Sequence, residues 1–249
     1  MANQKVKFKI TSPQNLISFV KRFSGIEKSL LLEITQNSIE AKAYTPDKSV
    51  LKFSRLPFVD VLEGTTPGDI LVPMYNVDKI INVFKHFADG DEIFLDVLVS
   101  KEDSQYTALE LMFYTSNLKI KMQCADMSLF KYVGNDTLKK AIKVTMDMVT
   151  NEFPFPKDAF AKINQLCSID AAIDFLQIII NNDGEIIFKG KSFEYTLGHT
   201  TANKPVDLRI YNKQFGYIDQ EISQFHISSE RLLVKSQESN SLITLGRMD

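Results

Sequence analysis

The sequence has no tryptophan and only two cysteines, Cys124 and Cys167, in 249 residues. With one cysteine in each half, the chain can form neither a disulfide framework nor a cysteine-rich metal site, so we expect a protein of a reducing compartment. Its three histidines, His86, His199 and His226, have no metal-ligand spacing to cysteine or to acidic residues. We therefore predict that the protein needs no metal and no other cofactor.

Long apolar runs are missing as well. No stretch approaches the roughly 20 residues that cross a bilayer, and the segment Met1–Lys5 lacks the apolar core of a secretion signal. We therefore expect a cytoplasmic protein with no membrane contact. A composition of 44% hydrophobic and 24% charged residues is that of an ordinary globular protein, with enough apolar material for one large or two small cores.

The sequence also lacks a convincing catalytic motif. The segment Gly184–Ser192 looks like a phosphate-binding loop, but five residues separate its glycines where the motif has four, and it is typical of a strand and a turn. Acidic pairs such as Asp89 with Asp91 fall in polar turns, where they keep the turn solvated. No nucleophile or general base is nominated, so we predict that the protein is not an enzyme.

What the sequence does contain is one pattern that occurs twice. Ile10–Pro13 and Phe153–Pro156 each end a strand and open a helix, with proline near the first turn. Met74–Asn76 and Ile210–Asn212 each lead into a second helix, with asparagine as the predicted N-cap. We interpret this as a duplicated domain, with the following parts: domain 1 at residues 1–124, a connector at 125–144 and domain 2 at 145–249.

Short strands separated by turns fill the rest of each half. Two hairpins are predicted, at 30–43 and 175–188, and the remaining strands often alternate apolar and polar residues. These further strands are predicted at 93–99, 108–114, 118–123, 193–197, 225–228, 232–235 and 242–245. Such spacing favours antiparallel sheet, so the predicted fold class is α+β, with two helices covering one face of antiparallel sheet in each copy.

Positive charge is concentrated on the predicted helices, at 13–24, 76–87, 156–167 and 211–218. Together they hold seven lysines and arginines against two aspartates, whereas the whole chain has a net charge of −2, so the strands and turns are acidic as a group. Apolar stripes run along each helix and leave the basic residues on the opposite face. On one helix this would be a solvated surface, but the same bias on four helices weakens that interpretation.

This order of elements resembles the DNA sliding clamps, the processivity factors of DNA polymerases, and within them the two-domain type of tailed phages and of proliferating-cell nuclear antigen. The resemblance spans nearly the whole chain and depends on topology, including Tyr75-Asn76 and Tyr211-Asn212, not on a short motif. It implies a head-to-tail homotrimer, a pseudo-sixfold ring that encircles duplex DNA with its helices and tethers the polymerase. A separate clamp-loader ATPase would load this ring.

The resemblance also implies residue roles. Long basic side chains with asparagine hold phosphates loosely and ignore the bases, as sliding requires. The residues implied to face DNA are Lys21, Arg22, Lys79, Asn82, Lys85, Lys157, Lys162 and Lys213. Subunits would join by pairing the strand at 118–123 with the strand at 193–199 of a neighbour. The implied interface residues are Leu118, Ile120, Met122, Phe193, Tyr195 and Leu197.

Clamps of this family bind partner peptides in an apolar pocket beside the connector. By resemblance the pocket residues are Tyr44, Leu129, Phe130, Tyr132, Leu245 and Met248. An alternative is that Phe130 and Tyr132 only pin the connector to its own domains. The connector also carries four lysines that could touch DNA, a partner or nothing: Lys131, Lys139, Lys140 and Lys143.

Three other functions remain open from the sequence. One is a monomeric or dimeric processivity subunit with an open basic face, which subunit stoichiometry distinguishes from a ring. A second is an enzyme with a site between its domains, which activity screening would expose. The third is a structural protein that uses its edge strands to build a larger shell, recognisable by open-ended growth with concentration.

Overall fold

The computed structural model describes residues 3–130, 134–201, 204–219, 222–236 and 241–248. The chain divides into two compact units. Unit 1 comprises residues 1–43 and 53–132, and unit 2 comprises residues 44–52 and 133–249. The short segment 44–52 therefore belongs to unit 2, although its neighbours in the sequence on both sides belong to unit 1.

The first half of the chain forms strands and two helices. Their bounds are β1 Asn3–Ile10, α1 Pro13–Lys21, β2 Leu30–Ile34, β3 Ser38–Tyr44, β4 Val50–Pro57, β5 Leu62–Gly64, β6 Ile70–Met74, α2 Val77–Phe84, β7 Ile93–Glu102, β8 Gln105–Tyr114 and β9 Lys119–Gln123. Single 3-10 turns occur at Phe58–Asp60 and Met127–Leu129. Helix α1 begins as predicted, since Ser12 accepts the N–H of Asn15 at 3.3 Å and Pro13 occupies the first turn.

The second half forms three helices and eight strands within the described residues. Their bounds are α3 Asn135–Met148, β10 Asn151–Pro154, α4 Lys157–Cys167, β11 Phe175–Ile180, β12 Glu185–Lys189, β13 Glu194–His199, β14 Val206–Tyr211, α5 Asn212–Phe215, β15 Ile222–Ile227, β16 Arg231–Ser236 and β17 Ser241–Gly246. The predicted hairpin at 175–188 is present, and Gly184 supplies the positive φ of +82° that its turn requires.

Sheet order confirms the duplication. The strands of unit 1 follow the orders β1-β7-β8-β9 and β4-β3-β2-β6, and those of unit 2 follow β10-β15-β16-β17 and β13-β12-β11-β14. Strand for strand, these orders correspond. The pairs with a described register are antiparallel, except for a short parallel contact between β6 and β8 at Ile70 and Leu71. The predicted α+β class, with antiparallel sheets and few helices in each copy, is therefore confirmed.

Each unit has an apolar core between its helices and its sheets. In unit 1, the stripe of α1 buries Leu16, Phe19 and Val20. In unit 2, the equivalent positions of α4 bury Phe160 and Ile163. Phenylalanine dominates the core of unit 2, where six rings lie within contact of one another: Phe153, Phe155, Phe160, Phe188, Phe215 and Phe225.

The predicted connector at 125–144 contains a helix that sequence analysis missed. Helix α3 extends over Asn135–Met148 and packs on β16 in unit 2. Leu138 is buried along it, and Ala141, Ile142 and Met146 on the same face are half-buried, so an apolar stripe at helical spacing is present in the sequence. The helix is stabilised by packing on the sheet, since 14 residues of such composition form a marginal helix in isolation.

The fourth predicted helix, at 211–218, is shorter than expected. Helix α5 covers only Asn212–Phe215, and the N-cap assignment of Asn212 is wrong. Asn212 is the first helical residue and is buried, where its Nδ2 donates to the carbonyl oxygen of Ala171 at 3.2 Å. Gln214 takes the capping role, because its Oε1 accepts the N–H of Tyr211 at 3.1 Å.

His226 on β15 gives unit 2 a pH-dependent stability. Its side chain is 8% exposed. Burial and the nearby Lys235 hold the pKa of the imidazole below its usual 6.5, and Glu152, with an oxygen 3.3 Å from Nδ1, opposes them only in part. Because the unfolded chain takes up a proton first, stability is complete above the ordinary pKa and is lost as the pH falls below it.

We therefore expect acidification from about pH 7.5 to about pH 5 to lower the free energy of unfolding of the wild type more than that of His226→Gln. Urea titrations of both proteins across this range measure the difference. The slope of the free energy of unfolding against pH should differ between the two proteins only below about pH 6.5. Parallel pH dependences would show that His226 titrates alike in the folded and unfolded chains, contrary to this expectation.

Candidate nucleic-acid interface

The two helices of unit 1 present a basic face to solvent. Helices α1 and α2 pack against each other and bury their apolar stripes. Lys21 on α1 is exposed, as are Lys79, Asn82 and Lys85 on and directly after α2. Helix α2 starts where predicted, because the Asn76 side chain accepts the N–H of Asp78 at 2.9 Å. These four predicted DNA-facing side chains therefore share an accessible helical layer.

Arg22 departs from that set. Helix α1 ends at Lys21, and Arg22 is its half-buried C-cap. Its Nη1 donates to Oγ of Ser54 at 3.3 Å, so the guanidinium is engaged by a strand of its own unit. Arg22 therefore lies at the end of α1 and not on its exposed face, and its contact with DNA stays a prediction.

Unit 2 repeats the basic face on α4 and α5, which contact each other. Lys157, Lys162 and Lys213 are all exposed, with Asn164 and Gln165 beside them. The buried side of α4 consists of Ala159, Phe160, Ile163 and Cys167. Because α5 has only four residues, it contributes one lysine.

The charge on these helices is available to a ligand. The set contains six exposed lysines, and none of them forms an ion pair within the part of the chain that the structure describes: Lys21, Lys79, Lys85, Lys157, Lys162 and Lys213. The acidic residues on the same helices are Asp78 and Asp158, each in a first turn, where a carboxylate offsets the helix dipole. Flexible ammonium groups of this kind bind phosphates without reading bases.

Two further polar residues of this surface were not among the predicted ones. Gln14 and Ser18 on α1 are exposed and lie on the same side as Lys21. The signal was available, because Gln14, Ser18 and Lys21 are spaced four and three residues apart and lie opposite the apolar stripe.

The predicted interface strands both lie at sheet edges. In the described residues, β9 pairs only with β8, and β13 pairs only with β12. The predicted interface residues are half-buried on these edges: Leu118, Ile120, Met122, Phe193, Tyr195 and Leu197. Each strand therefore keeps one row of backbone donors and acceptors that another chain can pair.

The predicted partner pocket receives mixed support. Leu129 is 69% exposed, and Phe130 beside it is half-buried, both in unit 1. Tyr44 and Met248 belong to unit 2 and are half-buried. Tyr132 lies outside the described residues.

Leu245 needs a correction as a pocket residue. It is 0% exposed and pairs with Leu232 in the core of unit 2. Its side chain is therefore part of the core and offers no surface to a partner peptide.

Among the described residues, no three histidine, cysteine or acidic side chains cluster in a way that could hold a metal ion. Burial raises the pKa of both the Cys124 and Cys167 thiols to about 12, so neither is a reactive thiolate. No helix that the structure describes has both the length and the apolar character to cross a membrane.

Comparison with known proteins identifies the fold. No protein-family model and no curated protein matches the sequence. Solved structures do match: a chain of the complex described as the C-terminal region of FEN-1 bound to A. fulgidus PCNA has a TM-score of 0.64 at 10% identity, over 98% of this chain and 98% of that one. The beta subunit of the DNA polymerase of Streptococcus pyogenes has a TM-score of 0.62 at 13% identity, over 98% of this chain.

The fold is therefore that of the DNA sliding clamps, as the resemblance predicted. The chain spans 65% of the length of the Streptococcus pyogenes beta subunit and 98% of the chain in the PCNA complex. Its length and its duplicated units thus agree with the two-domain type of clamp chain.

Proposed function

We propose that this protein is a ring-forming DNA sliding clamp that encircles duplex DNA and gives a polymerase its processivity. The observation that carries this proposal is the repeated basic layer, in which six exposed lysines lie on the helices of both units. The rest of the chain, in contrast, carries more acidic than basic residues, which discourages DNA from binding elsewhere. The clamp acts as a tether and catalyses no reaction.

The internal repeat supports a head-to-tail ring. Within unit 2, β17 is joined to the start of β4, where the N–H of Gly246 donates to the carbonyl oxygen of Ser49 at 2.7 Å. In the sheet orders, β9 is the counterpart of β17 and β13 is the counterpart of β4. Because β9 and β13 are edges, a second copy can repeat the same join between chains. Three chains would then close six similar domains into a ring.

The remaining roles follow from this assignment. A polymerase and a separate clamp-loader ATPase would dock near the exposed Leu129 and the half-buried Phe130, since exposed large apolar side chains mark interaction sites when they are grouped. The protein would act in the cytoplasm, or in the host cytoplasm if a phage encodes it. Residues 1–124 and 145–249 would be the two clamp domains of each chain.

The decisive experiment compares closed circular with linear DNA. After loading by its cognate loader or at high protein concentration, the clamp should stay on nicked circular duplex through gel filtration at about 0.2 M salt and be lost when the circle is cut. Retention that is identical on both DNA forms would exclude topological encirclement. It would favour a processivity subunit with an open basic face.

A matched pair of triple variants tests the helix lysines. We expect Lys79→Ala/Lys85→Ala/Lys162→Ala to shorten the lifetime on circular DNA at least about tenfold and to reduce the salt dependence of binding, since fewer counterions are released. The control removes three exposed lysines from α3, Lys139, Lys140 and Lys143, and should change the lifetime less than about twofold. A larger loss in the α3 variant would move the DNA-binding surface to that helix.

A further inference from the structure

The sheet edges at β9 and β13 carry opposite charge along their polar rows. On β9 the exposed residues are Lys119, Lys121 and Gln123, which alternate with half-buried apolar residues. On β13 the exposed residues include Glu194 and Thr196, which alternate with Phe193, Tyr195 and Leu197. Each edge therefore has one apolar row and one polar row, basic on β9 and acidic at the start of β13.

This difference disfavours pairing between identical edges. Two copies of β9 joined about a twofold axis would place lysine rows against each other, and two copies of β13 would bring their Glu194 side chains together. Like charges across a strand pair are destabilising, whereas opposite charges stabilise it. A contact between β9 and β13 places the apolar rows side by side and brings the basic row of one strand against the acidic start of the other. Such a contact uses different surfaces on the two chains, so it propagates head to tail and can close a ring.

We propose that, at the β9–β13 join of the proposed ring, an ion pair between Lys121 of one copy and Glu194 of the next selects this pairing over twofold dimers. The inference rests on the proposed ring and deepens it. With the apolar rows on one face, Glu194 lies opposite Lys119, Lys121 or Gln123. In each of these registers Lys121 is directly opposite Glu194 or on the adjacent diagonal, within reach of a long side chain.

Local contacts prepare both charges for this role. Within its own copy, Lys121 Nζ lies 3.3 Å from Glu110, and Glu194 lies 3.2 Å from Lys189 Nζ. All four side chains keep access to solvent, so they can rearrange on contact. Joining the edges would place Lys121 and Glu194 between their present partners, in a row of alternating charge. Such a network is worth more than an isolated exposed pair.

The start of β13 is also held in place before any partner arrives. The Asp170 carboxylate accepts the N–H groups of Lys191 at 2.8 Å and Ser192 at 3.3 Å, which fixes the turn that leads into Phe193. A Cβ at Gly190 would lie 2.3 Å from the Phe193 ring and 2.5 Å from Asp170, so a larger residue there would have to displace both side chains from the turn. A rigid edge loses less conformational entropy when it pairs.

A charge-swap cycle tests the proposal. Sedimentation or light scattering over a concentration series would compare the wild type with Lys121→Glu, Glu194→Lys and the double variant. We expect a limiting mass of three chains for the wild type, an increase of about tenfold in the dissociation constant for each single variant, and recovery to within about threefold in the double variant. Lys139→Glu, the same charge change on α3, should leave assembly unchanged.

The outcomes separate this inference from the proposed function. A wild type that stays monomeric at every concentration overturns the ring itself. If the wild type forms three chains but the dissociation constant of the double variant rises by the product of the two single increases, the ion pair is overturned and the ring stays intact. A limiting mass of two chains overturns head-to-tail pairing. Far-ultraviolet circular dichroism of each variant confirms that these exposed substitutions leave the chain folded.

Discussion

Lys52→Met is expected to lower the free energy of unfolding by about 3–5 kcal/mol, because it leaves a buried carboxylate without its cation. Lys52 is 1% exposed, and its Nζ donates to Oδ1 of Asp219 at 2.6 Å and to the carbonyl oxygen of Tyr217 at 2.7 Å. Ser241 completes the cluster by donating to Oδ2 of Asp219 at 2.5 Å. All four residues belong to unit 2.

The cluster anchors a segment that is distant in the sequence. Residues 44–52 come from the first half of the chain but belong to unit 2. Besides Lys52, this segment is held at Ser49, whose Oγ accepts Nε2 of Gln214 at 2.8 Å and whose carbonyl oxygen accepts the N–H of Gly246 at 2.7 Å. Loss of the Lys52 contact should therefore release the segment and also leave the Asp219 carboxylate unpaired. Both effects lower the free energy of unfolding.

Urea titration measures the effect, and a second variant identifies its cause. If the cost comes from the unpaired carboxylate, Lys52→Met/Asp219→Leu should recover most of the lost stability, since an apolar pair of similar volume can replace a buried ion pair. Lys162→Met, an exposed lysine on α4, should change stability by less than about 0.5 kcal/mol. A cost below about 1 kcal/mol for Lys52→Met would mean that solvent reaches Asp219, against its burial in this structure.

Lys52 also marks the limit of what sequence patterns can predict. A lysine in a strand with alternating residues would be assigned to the exposed face, and only contact with Asp219, 167 positions away, explains its burial. The order of strands and helices, in contrast, could be predicted in both halves of the chain. Repeated cues such as Ser12-Pro13 and Asn181–Gly184 are local, and local signals suffice for capping and for turns.

The candidate DNA-binding face shows the same division. The exposure of Lys79, Lys85 and Lys162 could be predicted because they lie opposite clear apolar stripes. The environment of Arg22 could not, because α1 ends three residues before the predicted end at 24 and because Ser54 comes from another strand. Helix α3 is a different case. The helical spacing of Leu138, Ile142 and Met146 was available in the sequence, whereas the packing of the helix on β16 was not.

Phe155→Ala is expected to cost about 3–5 kcal/mol of folding free energy, the range for removing a buried phenylalanine from a close-packed core. Phe155 is 3% exposed, and its ring stacks on Phe225 with centroids 4.2 Å apart and planes 8° apart. It also contacts Phe188 edge-on at 5.5 Å. The cavity would therefore open at the centre of the six-ring cluster, where the surrounding rings cannot collapse without losing their own contacts.

The position of Phe155 connects this core to the proposed DNA-facing surface. Phe160 on α4 and Phe215 on α5 both pack on the Phe155 ring, with centroids 6.5 Å and 6.3 Å away. These two helices carry Lys157, Lys162 and Lys213 on their opposite faces. A cavity beneath them should let α4 and α5 shift, so we expect Phe155→Ala to shorten the lifetime on circular DNA even where the protein remains folded.

Urea titration and DNA retention of the same samples test both consequences of Phe155→Ala. Phe155→Leu, which fills more of the site, should recover at least about half of the stability and most of the retention. Phe175→Ala is the control, since this half-buried ring lies outside the cluster and faces the Arg209 guanidinium at 5.2 Å. This substitution should lower the free energy of unfolding by about 1 kcal/mol. Full DNA retention by a folded Phe155→Ala protein would show that the lysines on α4 and α5 do not depend on this core for their placement.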